Sequence, residues 1–106
     1  MTVKILLIVM SAEEEKLRMP LNFSKNQTEA GNEIRIVLWG QSEKAVANSE
    51  ALQESYSTLG AIKPKACVNT AKGQGLVEKL SKNFDLLPVG AYIAKSIEEG
   101  YEIITF

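Results

Sequence analysis

The sequence contains no histidine and a single cysteine. Imidazole and thiolate groups are the usual ligands of zinc, copper and iron, so an ordinary transition-metal site is excluded and no metal or other cofactor is expected. One cysteine cannot close an internal disulfide, which points to a reducing compartment and a cytoplasmic protein. Charge of one sign is missing too. Twelve Lys and Arg stand against thirteen Asp and Glu, a formal net charge of -1, with no basic stripe of the kind that releases counterions from nucleic acid or grips anionic lipid. Neither nucleic acid nor a membrane is expected as a partner. Long apolar runs are also absent: Ile5 to Met10 is too short for the core of a signal peptide and leads into Glu13, Glu14 and Glu15. Nothing approaches the roughly 18 to 20 apolar residues of a membrane-spanning helix.

What is present belongs to a folded domain. Hydrophobic residues make up 45% of the 106 residues and charged residues 24%, enough for one core and far from a disordered composition. No shift in composition marks a boundary, so residues 1–106 are read as one domain.

The apolar stretch Val3 to Met10, interrupted only by Lys4, has the pattern of a strand buried on both faces of a parallel sheet. Ser11 can cap a following helix whose first turn holds Glu13, Glu14 and Glu15, where carboxylates suit the positive end of the helix dipole. That helix is predicted to reach about Ala30, with Pro20 kinking or dividing it, and Gly31-Asn32 ending it. Ile34 to Trp39 is a second strand, stopped by Gly40. An amphipathic helix follows between Gln41 and Gly60, with Val46, Leu52, Tyr56 and Leu59 on its apolar side and a break near Asn48-Ser49. The remaining elements are predicted at about Lys65–Asn69 (strand), Gly75–Lys82 (helix), Asp85–Val89 (strand), Ala91–Glu99 (helix opened by Gly90) and Tyr101–Phe106 (strand). Strands alternating with helices give an α/β class: a parallel sheet with helices on both faces and right-handed crossovers.

Open parallel sheets bind ligands beyond the carboxyl ends of their strands. The glutamates after the first strand would repel a phosphate placed there. A cysteine stands where a phospho-accepting receiver domain would close its third strand with aspartate. No Walker motif exists, and the glycine pair of "GQG" is too short for a dinucleotide fingerprint. What remains is "KACVNTAKGQGL", Lys65 to Leu76, which supports two readings. In one, Gly73 and Gly75 shape a tight turn and Cys67 is a small buried hydrophobe. In the other, Cys67 lies where free N–H groups of the next helix, together with Lys65 and Lys72, favour a thiolate, surroundings that bring a cysteine pKa from about 8.5 into the range of roughly 3.5 to 7.5. Trp39 is read as core or subunit interface. Met10 and Met19 are read as core filler, and Glu13 to Glu15 as a solvated helical turn.

The succession "KILLIVMSAEEE", "AGNEIRIVLWG", "KACVNTAKGQGL" and "LLPVGAYIAKSIEEGYEIITF" resembles the DsrE/DsrF-like family, the YchN-like fold, over nearly the whole chain. The resemblance implies a three-layer α/β/α sandwich around a five-stranded parallel sheet and assembly into homotrimers or hexamers. It also implies a sulfur-relay role, with Cys67 matching the cysteine that accepts sulfane sulfur as a persulfide from a donor protein and passes it to an acceptor. Asn69, Thr70 and Gly73 match the turn around that cysteine. The alternative function is an oligomeric protein that holds a small anion or nucleotide on Asn69, Thr70, Lys72 and Gly73 without catalysis. With no second cysteine, a persulfide formed on Cys67 must leave to another molecule.

Overall fold

The computed structural model describes residues 2–106. Five parallel strands, β1 (Lys4–Val9), β2 (Glu33–Leu38), β3 (Lys65–Cys67), β4 (Asp85–Leu87) and β5 (Glu102–Thr105), form one sheet in the order β4-β3-β2-β1-β5. Six α-helices flank it: α1 (Glu14–Glu29), α2 (Gln41–Ala47), α3 (Glu50–Ser57), α4 (Val68–Gln74), α5 (Val77–Ser81) and α6 (Val89–Glu98). This is the three-layer α/β/α arrangement expected.

The period of two along each strand divides the side chains between two cores. Leu7 and Val9 of β1, Ile34, Ile36 and Leu38 of β2, and Ala66 of β3 meet residues of α1 to α5 in the larger core. Leu6, Ile8, Val37 and Cys67 point the other way, to a smaller core closed by Val89, Tyr92 and Ile93 of α6. The topology explains the imbalance. From β1 through β2 and β3 to β4 the chain steps outward in one direction, so right-handed crossovers put α1 to α5 on one face. The link from β4 to β5 runs back across the whole sheet, so the same handedness puts α6 on the opposite face.

Four boundaries differ from the expectation. Pro20 does not divide α1: buried residues Leu17, Pro20, Leu21 and Ser24 form its inward stripe, and the ring packs there while the lost N–H bond falls to the exposed Lys16. Ser11 is not the cap residue, since α1 starts later, although its hydroxyl accepts from the Glu13 N–H at 3.0 Å. The amphipathic stretch does break at Asn48-Ser49, where the Ser49 hydroxyl caps α3 by accepting from the Leu52 N–H. Most consequential, β3 ends at Cys67 and the next residues are helix α4, not an extension of the strand and a loop. Gly75, with φ 68°, closes α4 in the left-handed region rather than opening the next helix, the usual C-terminal place for glycine.

One further expectation is corrected. Met10 and Met19 are not core filler, with 42% and 49% of their surface exposed; of the two places expected for Trp39, core or subunit interface, its 39% exposure argues against the core. Met10 and Trp39 lie just past the last residues of β1 and β2, on the face that only α6 covers.

Candidate functional site

Cys67 is the last residue of β3 and the cap residue of α4, with extended backbone (φ -69°, ψ 119°). A residue in that position has the unsatisfied N–H groups of the first helical turn directed toward its side chain. Cys67 closes no well-formed side-chain cap bond, but the Thr70 and Asn69 N–H groups of α4 and the Thr70 hydroxyl favour the thiolate from that side. A second helix contributes from the neighbouring strand end: the N–H of Val89, the first residue of α6, also acts on the sulfur. Burial pushes the Cys67 thiol up, but these donors outweigh it and hold the thiol below its ordinary value. Two helix starts converging on one sulfur are a stronger bias to the thiolate than either alone.

The lysines play a different part from the one expected. Lys65 is drawn to Asp85 of β4, Nζ to Oδ2 at 2.7 Å, and neither it nor Lys72 is among the groups acting on the Cys67 sulfur. Backbone and hydroxyl dipoles, not cations, favour the thiolate. Of the remaining residues singled out, Asn69 and Thr70 do gather at Cys67. Lys72 and Gly73 lie further along α4 and are exposed. Residues 68–74 are helical, so Gly73 lies within α4 rather than in a tight turn. A cleft of about 330 Å³ opens near this edge of the sheet, but Ala12, Gln41, Lys44, Ala45, Asn48 and Gln74 line it, not the expected anion residues.

The residue that sequence reading missed is Glu43. It lies on α2, which begins after Gly40 just as α4 begins after Cys67. Its surface is 0% exposed, and both carboxyl oxygens are buried without a hydrogen-bond partner of normal geometry. Burial pushes its pKa up to about 7, while the Gly40 N–H and the Thr70 hydroxyl, which face the carboxyl without closing a well-formed bond, hold it back from a larger rise. Nearby, the Ser42 hydroxyl ties the strand ends together, donating to the Val9 carbonyl and accepting from the Trp39 N–H. A signal for Glu43 existed in the sequence: its neighbours at i+3 and i+4 are Val46 and Ala47, so it shares the apolar side of its helix.

The site therefore consists of a buried thiol at the start of α4, Thr70 in the first turn of that helix, and the unpartnered buried carboxyl of Glu43 on the adjacent α2. Cys67 itself is only 4% exposed. Trp39 follows Leu38 and Cys67 follows Ala66, its partner in register, so the partly exposed indole ends the adjacent strand at the same level as the thiol.

No protein-family model matches the sequence, and no curated protein matches it. Solved structures do match in shape. BT1422 from Bacteroides thetaiotaomicron, a conserved protein of unknown function, superposes with a TM-score of 0.79 at 21% identity, over 95% of this chain and 94% of its own. MTH1491 from Methanobacterium thermoautotrophicum, also of unknown function, gives 0.84 at 18% identity over 98% and 99%. The ychN protein from E. coli gives 0.68 at 14% identity over 98% and 100%. The chain has the YchN-like fold. At these identities the likeness extends to the fold and no further.

Proposed function

We propose that the protein is a sulfur-relay carrier that holds sulfane sulfur as a persulfide on Cys67 and passes it to a partner protein. The observation that carries this reading is the place of Cys67 as the cap residue of α4, packed against Val89 at the start of α6. A thiolate is the form that attacks sulfur. With a donor persulfide R–S–SH, the Cys67 thiolate attacks the terminal sulfur, a new S–S bond forms at Cys67 and the donor S–S bond breaks. The bonding pair leaves on the donor as R–S⁻, so charge and electrons balance. The same N–H groups suit the persulfide anion, which is larger and more acidic than the thiol. Release runs the step in reverse on an acceptor thiolate, since no second cysteine is available within the chain. The chemistry belongs in a reducing compartment such as the cytoplasm, and the carrier works as a homo-oligomer, a trimer or hexamer. Trp39 on the adjacent strand, with Met10 one strand further, supplies apolar surface for a donor, an acceptor or a second subunit.

The test is incubation of the purified protein with thiosulfate or with a cysteine desulfurase and its substrate, followed by intact-mass measurement. The protein gains the mass of one sulfur atom, lost again on reduction, and Cys67→Ser does not gain it while keeping the same melting temperature. A folded wild-type protein that takes up no reducible sulfur from either donor refutes the reading.

A further inference from the structure

The buried carboxyl of Glu43 has no role in the sulfur chemistry as described. Its place in the fold gives it one. β2 and β3 are neighbours in the sheet, so the helices that follow them begin side by side, and α2 packs on α4. Counting from the caps Gly40 and Cys67, Glu43 and Thr70 occupy the same third position of their helices. Side chains there reach back toward the helix start. Thr70 thus stands between the two starts, its hydroxyl near enough to act on both the Glu43 carboxyl and the Cys67 sulfur though it closes a well-formed bond to neither.

A threonine hydroxyl has one proton to donate. It cannot serve a carboxylate and a thiolate at once. We propose that Glu43, Thr70 and Cys67 form one proton-sharing unit in which the Thr70 hydroxyl donates either to the Glu43 carboxylate or to the Cys67 thiolate, so that a protonated Glu43 releases the hydroxyl to the sulfur. In the protonated state the carboxyl O–H donates to the Thr70 oxygen, which in turn donates to the thiolate. When Glu43 ionises, it takes the hydroxyl for itself, and the sulfur loses that donor. The loss returns a proton to the sulfur. The unit thus gives up its first proton readily and its second reluctantly.

Other ionisable groups do not intervene. Glu50 and Glu54 on α3, Lys72 on α4, and Glu78 and Lys79 on α5 are exposed on the helices packed against α2, as is Lys44 on α2 itself; the buried Tyr56 of α3 donates to the Leu17 carbonyl, and none of these acts on the Glu43 carboxyl, nor do Tyr92 and Tyr101, packed on the Cys67 side, act on the sulfur. Glu43 is a positioning residue, acting on sulfur only through Thr70. The inference deepens the sulfur-carrier reading and rests on it for its purpose, but its readout is ionisation of Cys67 alone, with no sulfur donor present.

The experiment is a titration of Cys67 by its thiolate ultraviolet absorbance, each protein measured against its own Cys67→Ser control. Wild type titrates in a broadened, two-step curve. Glu43→Gln, which stays neutral and still donates to the Thr70 oxygen, gives a single step shifted down by about one pH unit. Thr70→Val removes the donor and shifts the thiol up, and Thr70→Ser restores the wild-type curve. Melting temperatures identify any variant that has not folded, and Thr70→Val and Thr70→Ser test the unit independently of Glu43. A Cys67 titration unmoved by Glu43→Gln, or moved upward, overturns the proposal whatever the outcome of sulfur loading. Failure of sulfur loading with the titration behaving as stated removes the carrier reading and leaves the proton-sharing unit standing.

Discussion

A glutamate in the first turn of a helix is usually solvated and favoured by the helix dipole, and Glu13, Glu14 and Glu15 fit that description, all exposed ahead of or within the start of α1. Glu43 stands in the same kind of position and is wholly enclosed. The difference lies in what covers it, which is α4, a helix that the sequence pattern assigned to strand and turn. Thus Cys67 was legible as the single cysteine ahead of a helix start, whereas for Glu43 the sequence offered only its place on the apolar side of its helix, because its full enclosure depends on elements misread elsewhere in the chain. Lys65 was misjudged for a related reason: two residues from Cys67 in sequence, it is claimed across the sheet by Asp85. The enclosed carboxyl has a measurable consequence. Its pKa is raised from 4.5 to about 7 in the folded state, so the native protein binds a proton that the unfolded chain has released between those values. Below 4.5 both states are protonated and the ionisation of Glu43 costs nothing; as pH rises to 7 stability falls, by about 3 kcal/mol for a shift of that size at roughly 1.4 kcal/mol per unit. Denaturant unfolding across this range should show a decline that Glu43→Gln flattens. An equal decline in the variant would assign it to other groups.

At the scale of elements, the strand and helix order followed from apolar runs, amphipathic spacing and the glycines that end helices. Gly31 and Gly75 both stand at positive φ where α1 and α4 close, and each marked a boundary in the sequence, though Gly75 was attached to the wrong side of it. The length of β3 was not legible. Only three residues pair there, too few for a period-two pattern to separate strand from helix start. The attachment of α6 was equally hidden, because it depends on a residue from β2. Arg35 donates to the Ser96 hydroxyl at 3.0 Å and to the Glu99 carboxylate at 2.9 Å, and its guanidinium lies 4.1 Å from the centre of the Tyr101 ring. Within α6 itself only Val89 and Ser96 are buried, so this polar clamp holds the helix as much as its apolar contacts do. Removing it with Arg35→Ala should cost about 2 kcal/mol. Because α6 contacts the rest of the molecule so sparsely, the loss should appear as local opening: amide exchange in α6 accelerated about thirtyfold, with β1 and β2 little changed. Uniform acceleration across all three would mean that α6 opens only with the whole fold.

Across the whole molecule the two layers of helices are unequal, and the inequality bears on assembly. Five strands spaced about 4.8 Å apart span roughly 19 Å between the outer pair. A single helix is about 10 to 12 Å wide with its side chains, so α6 covers little more than half of its face, while five helices share the other. The uncovered part carries several large apolar side chains. Met10 and Trp39 continue the inward-facing rows of Leu6, Ile8 and Val37, and Ile103, the register partner of Leu6 on edge strand β5, is 36% exposed. Ile97 stands out from α6 with 55% of its surface exposed. Large apolar side chains clustered on one face favour contact with another protein surface, and an open edge such as β5 favours it further. A closed ring of identical subunits would cover this face without any other partner, and it would set Trp39, at the level of Cys67, at or near the boundary between subunits. Wild-type protein should therefore run as a trimer or hexamer in light scattering across the micromolar range. Trp39→Glu, which places a charge where the indole lies partly exposed, should reduce it to monomers with an unchanged far-ultraviolet circular dichroism spectrum. Glu15→Gln, a charge change on the exposed start of α1 and on the opposite face, should leave the assembly intact. A wild-type monomer throughout that range would remove the oligomer, and a Trp39→Glu protein of unchanged mass would move the interface away from the α6 face and from the thiol.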